Sequence, residues 1–334
     1  MVIIGWLYYY FGYISFISYV LALVYSVLNI NNVLVVSRKT LTQCLLIFLL
    51  LALFFINMLI FEGNFSEFIR KYRFWLGFIV FYFGFLAGLR LNPLSILKLS
   101  IVLVLIEVFL INTFVDYSSM PNFYGGESSV SKYFGFYYRP NGFGGNSTVS
   151  SVIIVSLMAY CYKALSLKWK TLSVASILLI YSMTGVALLF LIALIQLKSV
   201  KSIFFISMAI ILLLLVFMND WRMSSDYIEV VLSIKLGQMY EFIGYGISKL
   251  MGLHNFDDII FTGDFAILDF LLGVGLLMGI IYSFLFLTNF QIFIPLIILL
   301  VGSFHYPVLF SMPGQILFAY YLACGKKYIP SDYA

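Results

Sequence analysis

Long apolar runs, separated by short polar segments, recur along the whole chain. Runs of eighteen or more apolar residues are long enough to cross a bilayer as helices. The pattern predicts an all-α fold, a polytopic bundle of about ten to twelve transmembrane helices in which residues 1–334 form one transmembrane domain. The predicted apolar segments are Val2–Leu28, Leu41–Phe61, Phe74–Leu89, a run after Arg90–Lys98 that ends near Val115, Asn146–Leu165, Leu172–Leu197, Ile203–Met218, Asp264–Leu287, Ile292–Ser303 and Val308–Cys324.

One apolar segment, Leu172–Leu197, has lysines near both of its ends. The positive-inside rule places both ends in the cytoplasm, which a single crossing cannot achieve. We therefore predict a re-entrant hairpin over residues 172–197 that turns near Ser182. Each arm would be about 20 Å long, shorter than a hydrocarbon core of about 30 Å. Broken helices at membrane depth need protein or a water-filled cavity around the turn, so we expect a polar cavity there.

Two polar segments, residues 116–145 and 219–263, are predicted to be external loops, because the lysine-rich ends of the neighbouring spans face the cytoplasm. Counting spans back from them places Arg70, Lys71 and Arg73 outside as well. That placement conflicts with the positive-inside rule unless Met1–Val36 holds two short helices.

Composition supports a membrane protein and excludes several other classes. Hydrophobic residues make up 63% of the chain and charged residues only 10%, whereas a soluble domain carries about 25% charged residues. The net charge of +5 comes from basic residues at the ends of apolar runs, which indicates a lipid bilayer rather than nucleic acid as partner. The three cysteines lack metal or disulfide spacing. With no phosphate-binding glycine loop, zinc cluster or nucleophile elbow, no metal and no cofactor is predicted.

The clearest candidate for chemistry is Arg139, in Tyr137-Tyr138-Arg139-Pro140-Asn141-Gly142 directly before a predicted span. One interpretation is an interfacial aromatic belt with a snorkelling arginine. The other is a phosphate clamp, because guanidinium offers a bidentate fork and glycines let backbone N–H groups approach an anion. Tyr137 and Tyr138 are belt residues in the first interpretation and stack on sugar rings in the second.

Five further residues are candidates for less specific reasons. Arg222 is an ordinary loop residue or a second cation for the same anion. Asp264 caps a helix or orients a sugar hydroxyl. Glu107 is an acid deep in a span, which marks a functional site or a pairing with another helix. His254 and Glu241 lie in the second external segment and can fold back to the same cavity.

At these residues the sequence resembles the O-antigen polymerases of the Wzy type, within the family that also includes the O-antigen ligases. Three blocks carry the resemblance: Arg139-Pro140-x-Gly142-Phe143, then Arg222 followed by Gly244-Tyr245-Gly246, then Asp264 followed by Gly275. Ligases tend to carry a histidine in the third block, where this chain has Asp264. That difference favours the polymerase.

The resemblance implies a metal-independent membrane glycosyltransferase that moves a growing glycan from undecaprenyl diphosphate onto a new lipid-linked repeat unit. Arg139 and Arg222 would bind the donor diphosphate, and Asp264, or alternatively His254, would act on the acceptor hydroxyl. Sugar contacts would come from Tyr137, Tyr138, Asn141 and Glu241.

The same resemblance implies the bacterial inner membrane as location, an active site facing the periplasm, a role in lipopolysaccharide biosynthesis and a chain-length-determining protein as partner. The alternatives are an O-antigen ligase and a lipid-linked oligosaccharide flippase or transporter. A transporter would show two similar halves with short loops, and no such repeat is evident.

Overall fold

The computed structural model describes residues 2–33, 37–61, 73–113, 132–133, 137–196, 225–244, 266–289 and 292–325, which are mostly helical. The all-α class is confirmed at this level. The helices are α1 (Val2–Trp6), α2 (Tyr8–Phe11), α3 (Ile17–Leu28), α4 (Ile30–Val33), α5 (Arg38–Phe61), α6 (Arg73–Leu86), α7 (Pro93–Thr113), α8 (Ser147–Cys161), α9 (Leu167–Ile180), α10 (Met183–Gln196), α11 (Ser225–Gly244), α12 (Ala266–Leu287), α13 (Phe293–Gly302) and α14 (Met312–Cys324). Two short strands, β1 (Lys132–Tyr133) and β2 (Tyr137–Tyr138), pair antiparallel.

The predicted first span, Val2–Leu28, is wrong as a single helix. Helices α1 and α2 end at a turn of 3₁₀ helix, Gly12–Phe16, and α3 follows it. Gly12 has a φ of +52°, in the left-handed region that glycine adopts readily. Helix α1 packs against α3, and a Cβ on Gly5 would lie only 2.6 Å from the Ser18 Oγ. Residues 2–33 therefore form four helices and a turn of 3₁₀ helix rather than one span, and the number of membrane crossings within Met1–Val36 stays a prediction.

The predicted break in the hairpin segment lies where the sequence placed it. Helices α9 and α10, of 14 residues each, are separated by Tyr181, whose φ of 54° and ψ of 46° are left-handed. Both helices pack against α8, and the turn lies at the N-terminal end of α8, where the Ser182 hydroxyl donates to Thr148 Oγ1 at 3.3 Å. The two arms therefore run in opposite directions along α8. That their far ends share one side of a membrane stays a prediction.

The second predicted external loop, residues 219–263, contains helix α11 of 20 residues. Helix α7 begins at Pro93, so Lys98 lies within the helix rather than before it. Several predicted features lie outside the described residues, namely the run Ile203–Met218, most of the first loop, Arg222, His254 and Asp264.

Two described helices, Arg38–Ile56 and Pro93–Thr113, are long and apolar enough to cross a membrane by length and composition. The number of spans stays a prediction. Polar side chains are buried between the helices, among them Gln43, Ser100, Glu107, Ser156 and Gln315. Large apolar side chains face outwards, for example Leu45 at 58% exposure, Phe48 at 67% and Phe109 at 59%.

The helical bundle has two distinct ends. At one end, which we call the lysine end, Lys39 Nζ donates to Asn289 Oδ1 at 2.8 Å, and the hydroxyl of Tyr160 donates to the carbonyl of Gly325 at 2.7 Å. At the opposite end, α7 finishes and α8 begins, and the segment between them carries Arg139.

Candidate functional site

We call the segment Tyr137–Asn146 the arginine loop. The carboxylate of Glu107, in α7, holds its backbone by hydrogen bonds. The backbone N–H groups of Asn141 and Gly142 donate to its two oxygens at 2.9 and 3.0 Å. The hydroxyl of Tyr10 donates to the same carboxylate at 2.6 Å. Glu107 is only 9% exposed. A buried carboxylate needs such hydrogen bonds, and here two of the three come from the backbone of the loop that it supports.

The local sequence of the loop requires a glycine and a serine. Gly142 has a φ of +71°, and a Cβ at this position would lie 2.5 Å from the Ser150 Oγ. The Ser150 hydroxyl donates to the carbonyl of Asn141 at 2.8 Å and accepts from the N–H of Gly144 at 3.0 Å. The loop therefore closes tightly over the first turn of α8.

The start of the loop is held by two other elements. The side chain of Asn112, at the end of α7, accepts from the N–H of Tyr138 at 2.8 Å and donates to its carbonyl at 2.9 Å. The hydroxyl of Tyr137 donates to the carbonyl of Leu179 in α9. Burial raises the pKa of Tyr137 above its ordinary value, and the charge of Glu107 adds to the shift. The hydroxyl therefore stays protonated as a donor, and the loop is linked to the end of α9.

The end of the loop becomes the N-terminus of α8. The side chain of Asn146 accepts from the N–H of Thr148 at 2.7 Å, an N-cap hydrogen bond. Phe143 is buried and stacks on Trp6 with ring centroids 5.5 Å apart. Between these anchors Arg139 is half-buried. The arrangement holds one arginine on a backbone that is fixed at both ends.

A cavity of about 280 Å³ adjoins the loop. Gly144 and Asn146 line it from the loop, Arg73 from α6, and Ser311 from the N-cap of α14. The rest of its wall is mostly aromatic and apolar, with Phe16, Tyr19, Phe74, Val149, Tyr306, Pro307, Phe310 and Met312. Arg73 therefore lies at the same end of the bundle as Arg139. That this end is external stays a prediction.

Part of the predicted site lies within the described residues. Tyr137, Tyr138, Arg139 and Asn141 all lie in the arginine loop. Arg222, His254 and Asp264 lie outside the described residues, and Glu241 is described only as part of the backbone of α11. The roles assigned to these residues stay predictions.

The third sequence block contains a real break. Gly275, within α12, has a φ of 85° and a ψ of 160°, which interrupts the helix. The start of α12 lies beside the end of α13, where the N–H of Ile267 donates to the carbonyl of Ser303 at 3.2 Å. Asp269, in the first turn of α12, is buried at 3% exposure. In the part of the chain that the structure describes, no group of three or more His, Cys, Asp or Glu side chains is placed to hold a metal ion.

Three residues of the site, Asn112, Ser150 and Arg73, were not predicted from the sequence to have a role in it. Glu107 was a candidate, and its partners are two backbone N–H groups of the loop and, on another helix, the hydroxyl of Tyr10. Asn112 and Ser150 looked like ordinary polar residues in apolar helices. Arg73 was noticed only as a problem for topology, although an external arginine beside a span was itself a signal.

No protein-family model, curated protein or solved structure was found to match the chain. Its function is therefore argued from its own residues.

Proposed function

We propose that the chain is a multi-pass membrane glycosyltransferase of the O-antigen polymerase type, which transfers a growing glycan from undecaprenyl diphosphate to a new lipid-linked repeat unit. The observation that carries the proposal is the arginine loop, in which a buried carboxylate holds the backbone around Arg139. The three sequence blocks supply the reaction class.

The distribution of polarity supports a membrane location. In a soluble protein the large apolar side chains are mostly inside, and large contiguous apolar surfaces are rare. Here Phe48, Phe109 and Leu45 face outwards, whereas Gln43 and Glu107 are buried. Lipid chains would cover the apolar surface, and hydrogen bonds between helices, such as that from Gln43 to the carbonyl of Leu322, pair polar groups of the interior. On this proposal the arginine-loop end faces the periplasm of a bacterial inner membrane.

The proposed chemistry is a displacement at the anomeric carbon of the donor sugar. The acceptor hydroxyl oxygen forms the new bond to that carbon, the bond from the carbon to the phosphate oxygen breaks, and its electron pair stays on the diphosphate. Arg139 and Arg222 stabilise the charge on the diphosphate. Asp264 orients the acceptor hydroxyl and accepts its proton, with His254 as the alternative base. Because the leaving group is a stable anion, the donor side needs no general acid.

A rigid loop suits this role for a physical reason. A charge that stabilises a developing anion is most effective when it is already oriented before the reaction begins. An arginine on a mobile loop would lose side-chain and backbone freedom when it binds. Glu107, Asn112 and Ser150 remove most of the backbone freedom in advance. A simple belt arginine would not need a loop held by three side chains, two of which, Glu107 and Ser150, are buried.

The experiment that tests the reaction class is the lipopolysaccharide banding of a deletion strain. Loss of a polymerase leaves lipid A core carrying a single repeat unit. Loss of a ligase or a flippase leaves bare core. A bare-core pattern would therefore overturn the proposal and favour one of the two alternatives.

Variants of the arginines test the mechanism. We expect Arg139→Ala and Arg222→Ala to abolish polymerisation, and Arg139→Lys to lose at least about tenfold, because ammonium cannot reproduce a bidentate fork. Arg90→Ala is the matched control, since Arg90 is exposed beyond the opposite end of α6. Full activity of the lysine variants at both Arg139 and Arg222 would mean that the arginines only attract anions.

A further inference from the structure

The cavity beside the arginine loop contains a cation that the proposed mechanism does not use. The guanidinium carbon of Arg73 lies 3.9 Å from the centroid of the Phe16 ring. Among the residues that the structure describes, no carboxylate forms an ion pair with Arg73. Its described contacts include the Phe16 ring and the hydrogen bond that its backbone carbonyl accepts from Gln315. The charge faces a wall that is otherwise mostly apolar and aromatic.

The backbone that carries Arg73, like the arginine loop, is held by a buried polar side chain. Gln315, only 1% exposed, donates from Nε2 to the carbonyls of Arg73 and Phe74 at 3.0 and 2.8 Å. Its Oε1 accepts from the hydroxyl of Tyr19 at 2.6 Å. A buried side chain thus holds the first turn of α6 against α14. As at Arg139, the cation is presented from an immobilised backbone.

Two further features of the cavity favour an anion. Asn146 and Ser311 are N-caps of α8 and α14, so the positive ends of two helix dipoles lie at its wall. The guanidinium fork matches the oxygens of phosphate. Together these features make the described part of the cavity wall positive, with Arg73 as its one formal charge. The aromatic rings of Phe16, Tyr19 and Tyr306 line the cavity and offer apolar surface for the rest of a lipid-linked ligand.

We infer that this cavity is a second diphosphate-binding site, separate from the clamp at Arg139, which binds the carrier headgroup of the acceptor. The acceptor assignment rests on the proposed function, because a polymerase must hold two lipid-linked diphosphates at once. The binding of a diphosphate at Arg73 rests only on the cavity and its charge. Gly144 and Asn146 line the cavity and belong to the arginine loop, so the two sites lie on opposite ends of one rigid segment.

The test measures how many diphosphates the purified full-length chain binds in detergent. The probes are inorganic pyrophosphate and farnesyl diphosphate, a short prenyl diphosphate without sugar, with farnesol as the uncharged control. We expect two farnesyl diphosphates per wild-type chain, one in Arg73→Gln, one in Arg139→Ala and none in the double variant. Arg73→Lys should bind at the cavity at least about tenfold more weakly than wild type. Arg90→Ala, at the other end of α6, should match wild type.

The two probes distinguish a lipid headgroup from a free phosphate. Farnesyl diphosphate should bind the cavity at least tenfold more tightly than pyrophosphate, and farnesol should not compete. Equal affinity for both probes would show a site for free anions and would overturn the acceptor assignment. Unchanged stoichiometry in Arg73→Gln would overturn the inference itself. If Arg73→Gln loses one bound diphosphate and Arg139→Ala loses none, the inference of a site at Arg73 is supported. The same result would count against the proposed function.

A measurement on the wild-type chain covers the case in which Arg73→Gln does not fold. Phenylglyoxal modifies accessible arginines, and peptide mass mapping reports the extent at each one. Farnesyl diphosphate should protect Arg73 from modification and leave Arg90 unprotected. Equal modification of Arg73 with and without the probe would contradict the inference.

Discussion

Hydrogen bonds from buried polar side chains hold both ends of the bundle, but the elements that they join differ between the two ends. At the lysine end, Gln43 donates to Thr288 Oγ1 and the carbonyl of Leu322 at 2.9 and 3.2 Å and accepts from Tyr82. These bonds join helices to helices. At the arginine-loop end, Gln315 has the corresponding role, but Glu107 instead holds a loop. The cavity with Arg73 lies at this second end.

The difference shows where function should be sought. A buried amide that joins helices far from the arginine loop, such as Gln43, contributes to stability, and its loss should affect stability alone. A buried carboxylate that accepts from loop N–H groups is costly to maintain, because its desolvation is repaid only by good hydrogen bonds. Such an arrangement is expected where backbone position matters more than stability. Loss of matched residues at the two ends should therefore have similar effects on stability and different effects on activity.

The largest difference is expected for Glu107→Gln. One carboxylate oxygen becomes an NH₂ group, so a donor faces the loop N–H groups or Tyr10. The unfolding free energy should fall by about 1–3 kcal/mol. Displacement of Arg139 should reduce polymer synthesis by about a hundredfold, as misplacement of a catalytic group by 1 Å can do. Glycan ladders on gels and thermal melts in detergent provide the two measurements.

The matched control for Glu107 is Gln43→Leu at the lysine end. Its loss of hydrogen bonds with Thr288 and Leu322 should cost a similar free energy of unfolding. The ladder should nevertheless stay normal in whatever fraction of the protein remains folded. Equal losses of polymer per folded molecule in both variants would show that the two ends do not differ in function.

A smaller effect is expected for Gly142→Ala. The left-handed φ of +71° and the contact with Ser150 both oppose a Cβ, and strain at such a position costs about 1–3 kcal/mol. The loop can relax in part, so polymer synthesis should fall by about tenfold. Gly237→Ala in α11 is the control, because a Cβ there meets nothing within 4 Å. It should leave the ladder unchanged, and a longer ladder in Gly142→Ala than in this control would contradict the account.

The smallest effect is expected for Tyr137→Phe, which removes the hydrogen bond from the loop to Leu179. Asn112 and Glu107 still hold the loop, so stability should fall by about 1 kcal/mol and synthesis by a few fold. Tyr160→Phe removes the corresponding bond to Gly325 at the lysine end. It should cost the same stability and no activity. A larger effect on synthesis from Tyr160→Phe would reverse the assignment of the ends.

Much of the helical framework could be predicted from the sequence. The break near Ser182 was predicted because lysines at both ends of an apolar run are incompatible with one crossing, and the left-handed Tyr181 lies beside it. The single first span was wrong because Tyr8–Phe16 is as apolar as its neighbours. Hydropathy does not register a turn made of aromatic residues around Gly12.

The candidate site was predicted only in part. Arg139 and Glu107 stood out because charges are rare in this chain. Their relation could not be predicted, because Glu107 is paired with N–H groups that every residue carries, and a sequence pattern cannot distinguish one from another. Asn112 and Ser150 illustrate the same limit, since a polar side chain in an apolar helix is equally consistent with a contact to another helix or to a loop.

The most direct test of the central claim is turnover by the purified chain with lipid-linked repeat units as the only substrates, in the presence of EDTA. The account predicts that wild type and Arg90→Ala build glycan chains longer than one repeat unit under these conditions, whereas Arg139→Ala builds none. Absence of polymer from the wild-type chain, or polymer that forms only when magnesium or manganese is restored, would contradict it.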